Sequence, residues 1–146
     1  DTDTDTDVDT GLPPCRDGHY TGPFGFEASA LGGAIEDRCE GTVELDILEA
    51  AEPQIEGTVR CAFKGVIASL GLSSEYGGSL VGALGTHPEA SGQLGVAIDT
   101  DSVSDDWSGS FEADTLLGAF DGAFTFSYSD RTYEASYTGA FQATLE

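Results

Sequence analysis

One short arrangement of apolar residues and glycine recurs eight times along this chain. Each copy has an apolar residue, any residue, a glycine, any residue and a second apolar residue, as in the run from Tyr20 through Gly22 to Phe24. Because side chains alternate between the two faces of a β-strand, each glycine shares a face with its apolar neighbours. A glycine on the buried face lets the strand bend and leaves room for a ring from a neighbouring strand. The pattern predicts eight bent strands in a curled antiparallel sheet, with glycines at Gly22, Gly41, Gly57, Gly78, Gly92, Gly109, Gly122 and Gly139.

Alternation of apolar and polar residues sets the limits of these strands. We expect them at about 19–30, 39–48, 54–66, 76–85, 91–99, 106–114, 118–129 and 132–146. Turn residues separate them, and only the connection at 66–75 offers room for a brief helical turn. Since no helical segment of crossover length lies between strands, a parallel sheet is excluded.

The expected fold is all-β, an eight-stranded antiparallel up-and-down β-barrel, because closure leaves no free strand edge. An aligned two-sheet β-sandwich is the alternative. The interior of an eight-stranded barrel is either filled by side chains or holds one small ligand. Aromatic residues at inward positions, among them Phe24, Trp107 and Tyr137, favour filling.

Composition divides the chain into two parts. Residues 1–14 (DTDTDTDVDTGLPP) form an acidic low-complexity tether, and residues 15–146 form the barrel domain. Asp and Glu total 27 against 5 Lys and Arg, which gives a formal net charge of −22. Such a field repels nucleic acid and anionic membranes and favours cations or basic partners. No apolar run reaches transmembrane length.

Two acidic segments are candidate cation sites, since Ca²⁺ prefers oxygen ligands. The first is the tether, where Asp occupies alternate positions, and the second is a loop expected at 99–106, whose carboxylates converge if the loop closes tightly. The residues are Asp1, Asp3, Asp5, Asp7, Asp9, Asp99, Asp101, Asp105 and Asp106. A solvated spacer and a solvated hairpin loop are the alternatives. Ca²⁺ is therefore the one candidate cofactor.

Two of the three cysteines, Cys39 and Cys61, are in phase with the buried faces of adjacent strands. They lie directly opposite each other if the hairpin turns at 49–51, and diagonally if the register differs by two residues. We predict a Cys39–Cys61 disulfide, which implies an oxidising compartment. Cys15 is then the odd thiol, unless the N-terminal segment folds back and pairs it with Cys39 or Cys61.

No set of residues specifies a reaction, so we expect the chain not to be an enzyme. His19, before the first strand, and His87, in a turn, are expected to be exposed, and no Gly-x-Ser-x-Gly elbow occurs. Glu44 and Asp46 lie on the wet face of a strand, whereas glycosidase chemistry needs two carboxyls flanking a cleft.

Small and apolar residues occupy the outer face of the fourth and fifth strands, at Val81, Ala83, Gly95 and Ala97. A patch of this kind is a candidate interaction face, and we expect residues 66–72 or a partner to cover it.

The Asp/Thr-rich lead-in, followed by Cys15 and a glycine-punctuated β domain, resembles small exported bacterial lipoproteins and surface proteins with acidic tethers. The resemblance implies a lipid-carrying cysteine upstream of this chain and an extracellular, cell-surface or periplasmic location. In strand number the body also resembles lipocalin and avidin-type barrels.

These observations favour a non-enzymatic exported β domain with a structural or interaction role. Its partner is expected to be a protein or surface component, with a second copy of the chain among the candidates. A small-ligand or calcium-binding barrel is one alternative. The other is a subunit that assembles into a fibre or surface layer through the outer face of the fourth and fifth strands.

Overall fold

Eight antiparallel strands form a closed barrel in the computed structural model, which describes residues 16–69, 75–98 and 101–146. The strands are β1 (Gly18–Ala30), β2 (Ile35–Ile47), β3 (Ile55–Phe63), β4 (Glu75–Leu84), β5 (Glu89–Ile98), β6 (Asp101–Glu112), β7 (Thr115–Tyr128) and β8 (Arg131–Leu145). Each strand pairs with the next one in the sequence, and β8 pairs with β1. A 3-10 turn (Leu31–Gly33) links β1 to β2, and one helical turn, α1 (Val66–Ser69), follows β3. The predicted up-and-down barrel is confirmed.

The strand starts differ most from the prediction at β2 and β6, which were expected to begin at about 39 and 106. β2 begins at Ile35 because residues 35–38 pair with residues 27–30 of β1. On the outer face of this added segment, Arg38 contacts Glu27 at 2.8 Å and Glu40 at 2.7 Å. β6 begins at Asp101 because residues 101–106 pair with residues 93–98 of β5. In both places cross-strand pairing overrides a polar composition that is typical of loops.

The rings predicted to face inward are buried inside the barrel. Phe24 stacks on Phe120 with ring centroids 5.5 Å apart, and Trp107 meets Phe141 edge to face at 5.3 Å. Phe26, Phe63, Phe111, Tyr20 and Tyr137 are also buried in this core. Such edge and offset contacts between aromatic rings add to the stabilisation that comes from burying their area.

Most of the recurrent glycines lie where neighbouring backbones approach closely. A β-carbon on Gly22, Gly41 or Gly78 would lie 1.7, 1.9 or 2.0 Å from a backbone carbonyl oxygen of the adjacent strand. The predicted ring coverage is found at Gly139, where the ring of Phe120 would be 2.4 Å from such a carbon. Close backbone approach is therefore the more general reason for glycine in this barrel.

Arg16 closes one end of the barrel, the end that carries the β2–β3, β4–β5 and β6–β7 turns. Its side chain is 8% exposed, and its guanidinium lies 4.2 Å from the Phe111 ring centroid and contacts His87. The backbone N–H of Arg16 donates to Glu49 Oε2 at 2.5 Å, and its carbonyl oxygen accepts from the Tyr20 hydroxyl at 2.8 Å. These contacts join the chain before β1 to β1 itself, to β6 and to the β2–β3 and β4–β5 turns.

Candidate functional site

The acidic loop predicted at 99–106 is mostly strand. Asp101 opens β6 opposite Ile98, and the following residues continue the strand in register with β5. Asp99 lies outside the described residues, as do the tether positions Asp1, Asp3, Asp5, Asp7 and Asp9, so a calcium role for them stays a prediction. The strand assignment removes the tight loop in which the carboxylates of 99–106 were expected to converge.

Asp105 and Asp106 point to opposite faces of the sheet because they are successive residues of one strand. Asp105 is opposite Leu94 and shares the inward phase of Trp107. Asp106 is opposite Gln93 on the outer face and accepts a hydrogen bond from the Gln93 side-chain amide. Asp105 and Asp106 therefore do not meet the condition under which the carboxylates of 99–106 were predicted to converge, which was a tightly closed loop.

Strands β6 and β7 pair over only part of their described length. Their register runs from Trp107 opposite Phe120 to Glu112 opposite Thr115. Beyond Trp107 and Phe120, the register partners of β6 lie on β5 and those of β7 lie on β8. We call the start of this unpaired stretch, residues 104–106 and 121–123, the seam.

Asp105 lies at the seam, on the inner face of the barrel. Its Oδ2 atom is buried and has no hydrogen-bond partner in the described part of the chain. Burial raises the pKa of the Asp105 carboxyl, and the negative charges of Asp121 and Asp106 raise this pKa further. A β-carbon on Gly122 would lie 2.5 Å from Asp105 Oδ1, so the carboxyl occupies the space above that glycine.

A second candidate site is the predicted interaction face on β4 and β5. Val81 and Ala83 are exposed on β4, and Gly95 lies opposite Ser79 on β5. Ala97 follows on β5 opposite Ser102. We define the neutral face as the outward positions around them, none of which is charged: Gly77, Ser79, Val81, Ala83, Ser91, Gln93 and Gly95.

A groove of about 540 Å³ lies between the neutral face and the β2–β3 loop at residues 49–54. Gln54 holds this loop, because its side chain accepts from the Leu84 N–H at 2.8 Å and donates to the Glu49 carbonyl at 2.9 Å. The predicted cover, residues 66–72, is described as far as Ser69, and α1 packs against β2 and β3. The sequence had suggested that residues 66–72 cover this face. In the structure it is the loop at 49–54 that borders it.

The predicted disulfide joins Cys39 and Cys61 inside the barrel, where they are 0% and 6% exposed. The two residues are diagonal, with Cys39 opposite Phe63 and Gly41 opposite Cys61. Of the two arrangements that the sequence left open, the diagonal one is found, because the hairpin turns at 48–54 and not at 49–51. Glycine at 41 leaves room for this diagonal, since a β-carbon there would lie 2.6 Å from Cys61 Cα.

Both histidines make specific contacts. His19 lies within β1, not before it, and its Nδ1 is 2.8 Å from Asp46 Oδ1. The hydrogen bond to Asp46 raises the pKa of the His19 imidazole, and the charges of Asp46, Glu146 and Glu44 add to this while burial opposes it. His87 is exposed in its turn, as predicted, and contacts the Arg16 guanidinium. Among the described residues, no group of three or more His, Cys, Asp or Glu side chains is arranged to hold a metal ion.

Sequence reasoning missed two residues, Arg16 and the inward-facing Asp105. Asp105 had a usable signal, because it precedes the buried Trp107 by two positions and so shares its face. That signal was set aside because four Asp residues within 99–106 resemble a loop. Arg16 had no comparable signal, since nothing in the local pattern indicates that a charged residue before β1 covers a barrel end.

Within the ranges 16–69, 75–98 and 101–146, no helix combines the length and the apolar character required to span a bilayer. The sequence matches no protein-family model and no curated protein at a significant level.

Proposed function

We propose that this chain is a non-enzymatic, exported interaction domain that meets a protein partner through the neutral face. One observation carries the proposal: seven adjacent outward positions on β4 and β5 hold no charged residue, in a chain with a net charge of −22. By contrast, the outer face of β2 alone carries Glu36, Arg38, Glu40, Glu44 and Asp46.

Protein interfaces are depleted of charged residues at their centre, because a charge that loses its water must find a partner to offset the loss. Val81 and Ala83 themselves bring no charge into such a contact, and the carboxylate directly across the strand, Glu56 opposite Val81, lies at the edge of the face. The charged remainder of the surface repels other acidic molecules and so limits non-specific contacts. The groove beside residues 49–54 gives the neutral face a concave border into which a partner side chain can pack.

Export is supported by the Cys39–Cys61 disulfide, because such bridges persist in oxidising compartments and are rare in a reducing cytosol. The resemblance of the acidic lead-in to tethers of exported lipoproteins points the same way. The ring-filled core favours an interaction role over the carriage of a small ligand in the barrel interior.

The neutral face is tested by adding one charge to it. Val81→Glu and Ala83→Glu are compared with Thr42→Glu, which adds the same charge to the exposed outer face of β2. The readout is retention of the labelled full chain on the envelope fraction of the producing cells. We expect at least about a tenfold loss of affinity for the first two variants, since an unpaired charge buried at an interface costs more than 1.4 kcal/mol. Equal loss with Thr42→Glu, or none with Val81→Glu, contradicts the proposal.

Sedimentation velocity over a range of concentrations tests whether the partner is a second copy of this chain. Self-association that Val81→Glu removes would make a second copy the partner. Export is tested separately by thiol labelling in intact producing cells. Labelling of Cys39 and Cys61 without prior reduction would show that the disulfide is absent there, and would contradict an oxidising location.

A further inference from the structure

The seam is a discontinuity in an otherwise closed sheet. Residues 107–112 of β6 are paired with residues 115–120 of β7, and the register between these two strands ends there. Backbone groups of residues 104–106 and 121–123 that face across the seam lie outside the β6–β7 ladder. Strands that are not joined by a ladder separate at lower free energy than strands within one.

The group that lies across the seam is the Asp105 carboxyl. It reaches from β6 over Gly122 of β7, where the absence of a side chain leaves space for it. A neutral carboxyl fits this place, since a protonated oxygen no longer carries the charge that burial penalises. An ionised carboxylate does not fit, because Oδ2 is closed to solvent and has no hydrogen-bond partner among the described residues.

The charges near Asp105 add to this preference. Asp106 on its own strand and Asp121 on β7 are both acidic. On β5 the residues opposite this part of β6 are Leu94 and Gln93, which are uncharged. On β8 the residue opposite Gly122 is Tyr137, and the ordinary pKa of a phenol, about 10, lies above the pH range tested below. The named neighbours of the ionised carboxylate are thus neutral or negative.

We propose that the Asp105 carboxyl is a latch on the seam: in its neutral form it stays inside the barrel over Gly122, and its ionisation draws it toward water and lets residues 104–106 and 121–123 separate. The barrel then has a closed state at low pH and a locally opened state at higher pH. This inference does not depend on the neutral face, which lies on β4 and β5.

Amide hydrogen exchange of the ¹⁵N-labelled full chain tests the latch. Protection factors, which remove the intrinsic effect of pH on exchange, are compared from about pH 4 to about pH 8, a range that spans the ordinary aspartate pKa and neutrality. The seam amides that can report opening are those of residues 104–106 paired with β5 and those of residues 121–123 paired with β8. They are compared with amides of the β1–β2 ladder, such as Val43 and Leu45. Asp105→Asn supplies a permanently uncharged side chain of the same shape.

We expect seam protection in the natural chain to fall as pH rises above the ordinary aspartate pKa of about 3.9, by up to about tenfold per pH unit, and to level off above the raised pKa of Asp105. Protection of the β1–β2 reference amides stays constant. Asp105→Asn keeps the seam protected at every pH. Asp121→Asn narrows the pH range of the effect, because it removes one charge that raises this pKa.

Glu134→Gln is the matched control, since it removes an exposed carboxylate of β8 on the outer face and should leave the pH dependence unchanged. Any one of three results would overturn the latch. The first is that seam protection in the natural chain does not vary with pH, and the second is that Asp105→Asn retains the variation. The third is that the β1–β2 amides lose protection in parallel with the seam.

Discussion

The Asp105 carboxyl covers Gly122 on the inner face of the barrel, as the ring of Phe120 covers Gly139. A β-carbon on Gly122 would lie 2.5 Å from Asp105 Oδ1, and one on Gly139 would lie 2.4 Å from the Phe120 ring. Both glycines leave space that a neighbouring side chain fills. The side chain over Gly139 is apolar, whereas the one over Gly122 can ionise. The proposed latch therefore makes the interior at Gly122 sensitive to pH, whereas the Phe120 ring over Gly139 has no titratable group.

Asp105→Asn is expected to stabilise the folded chain at neutral pH by on the order of 1 kcal/mol, because it removes a buried charge without hydrogen-bond compensation. The folded-state pKa of Asp105 is raised above its unfolded value, so the carboxyl favours folding below the unfolded pKa. This contribution is lost as pH rises through the folded pKa. Urea denaturation at several pH values should show this decline in the natural chain and a flatter profile in the variant. A lower stability of Asp105→Asn at neutral pH would show that the carboxylate has a stabilising partner.

Gly77 and Gly78 are adjacent in β4 but should differ in how far they tolerate alanine. A β-carbon on Gly78 would lie 2.0 Å from the Gly95 carbonyl oxygen, whereas one on Gly77 would have its nearest neighbour at 3.6 Å. We expect Gly78→Ala to lower the free energy of unfolding by roughly 1–3 kcal/mol, since backbone must move to admit the methyl group. Gly77→Ala should change it by less than about 0.5 kcal/mol. Chemical denaturation measures both, and similar losses would show that the inner and outer positions are not distinguished by space.

Removing the disulfide should destabilise the barrel. The bridge closes a loop with a sequence separation of 22 residues, for which loss of chain entropy in the unfolded state predicts about 3 kcal/mol. The double variant Cys39→Ala, Cys61→Ala is compared with Cys15→Ala by urea denaturation with and without a reductant. The double variant should be insensitive to reductant, and Cys15→Ala should behave as the natural chain. Loss of the reductant effect in Cys15→Ala would show that Cys15 takes part in the pairing.

His19 should add a second pH-dependent contribution to stability near neutrality. Its folded-state pKa is raised from 6.5 mainly by the hydrogen bond to Asp46, so protonated His19 favours the folded chain. The contribution is complete below pH 6.5 and is lost as pH rises through the folded pKa. Titration of the imidazole resonances by NMR should give a pKa above 6.5 in the natural chain and a lower one in Asp46→Asn. Glu27→Gln, which changes a carboxylate paired with Arg38, is the control and should leave the His19 titration in place.

The fold could be predicted from the sequence because its main signals are local. Alternation around residues such as Val43, Leu45 and Ile47 defines an inward face, and the repeated glycines indicate strong bending. The start of β6 could not be predicted, because the Asp and Ser residues after Ile98 are typical of loops when considered without a partner strand. Pairing with β5 holds them in the sheet, and that pairing is a long-range property of the closed barrel.

The candidate sites were only partly predictable. The disulfide and the positions of the neutral face follow from strand phase alone, and both can be read from Cys39, Cys61, Val81 and Ala83. The seam could not be predicted, because it lies where the β6–β7 register ends. That point depends on the stagger of all eight strands around the barrel and not on a local pattern. The burial of Arg16 likewise depends on distant residues, since Phe111 and His87 contact it from other parts of the chain.

Closure of the barrel by β1 and β8 brings Glu146, which directly follows β8, beside the start of β1. The N–H of Glu146 donates to the His19 carbonyl at 3.0 Å, and the Thr21 hydroxyl donates to Glu146 Oε2 at 2.8 Å. A short flexible linker can therefore join residue 146 to residue 16, while new ends are opened in the turn at 113–114. The domain is accordingly suited to circular permutation and to insertion as a cassette into a surface loop of another protein, with entry and exit at a single point.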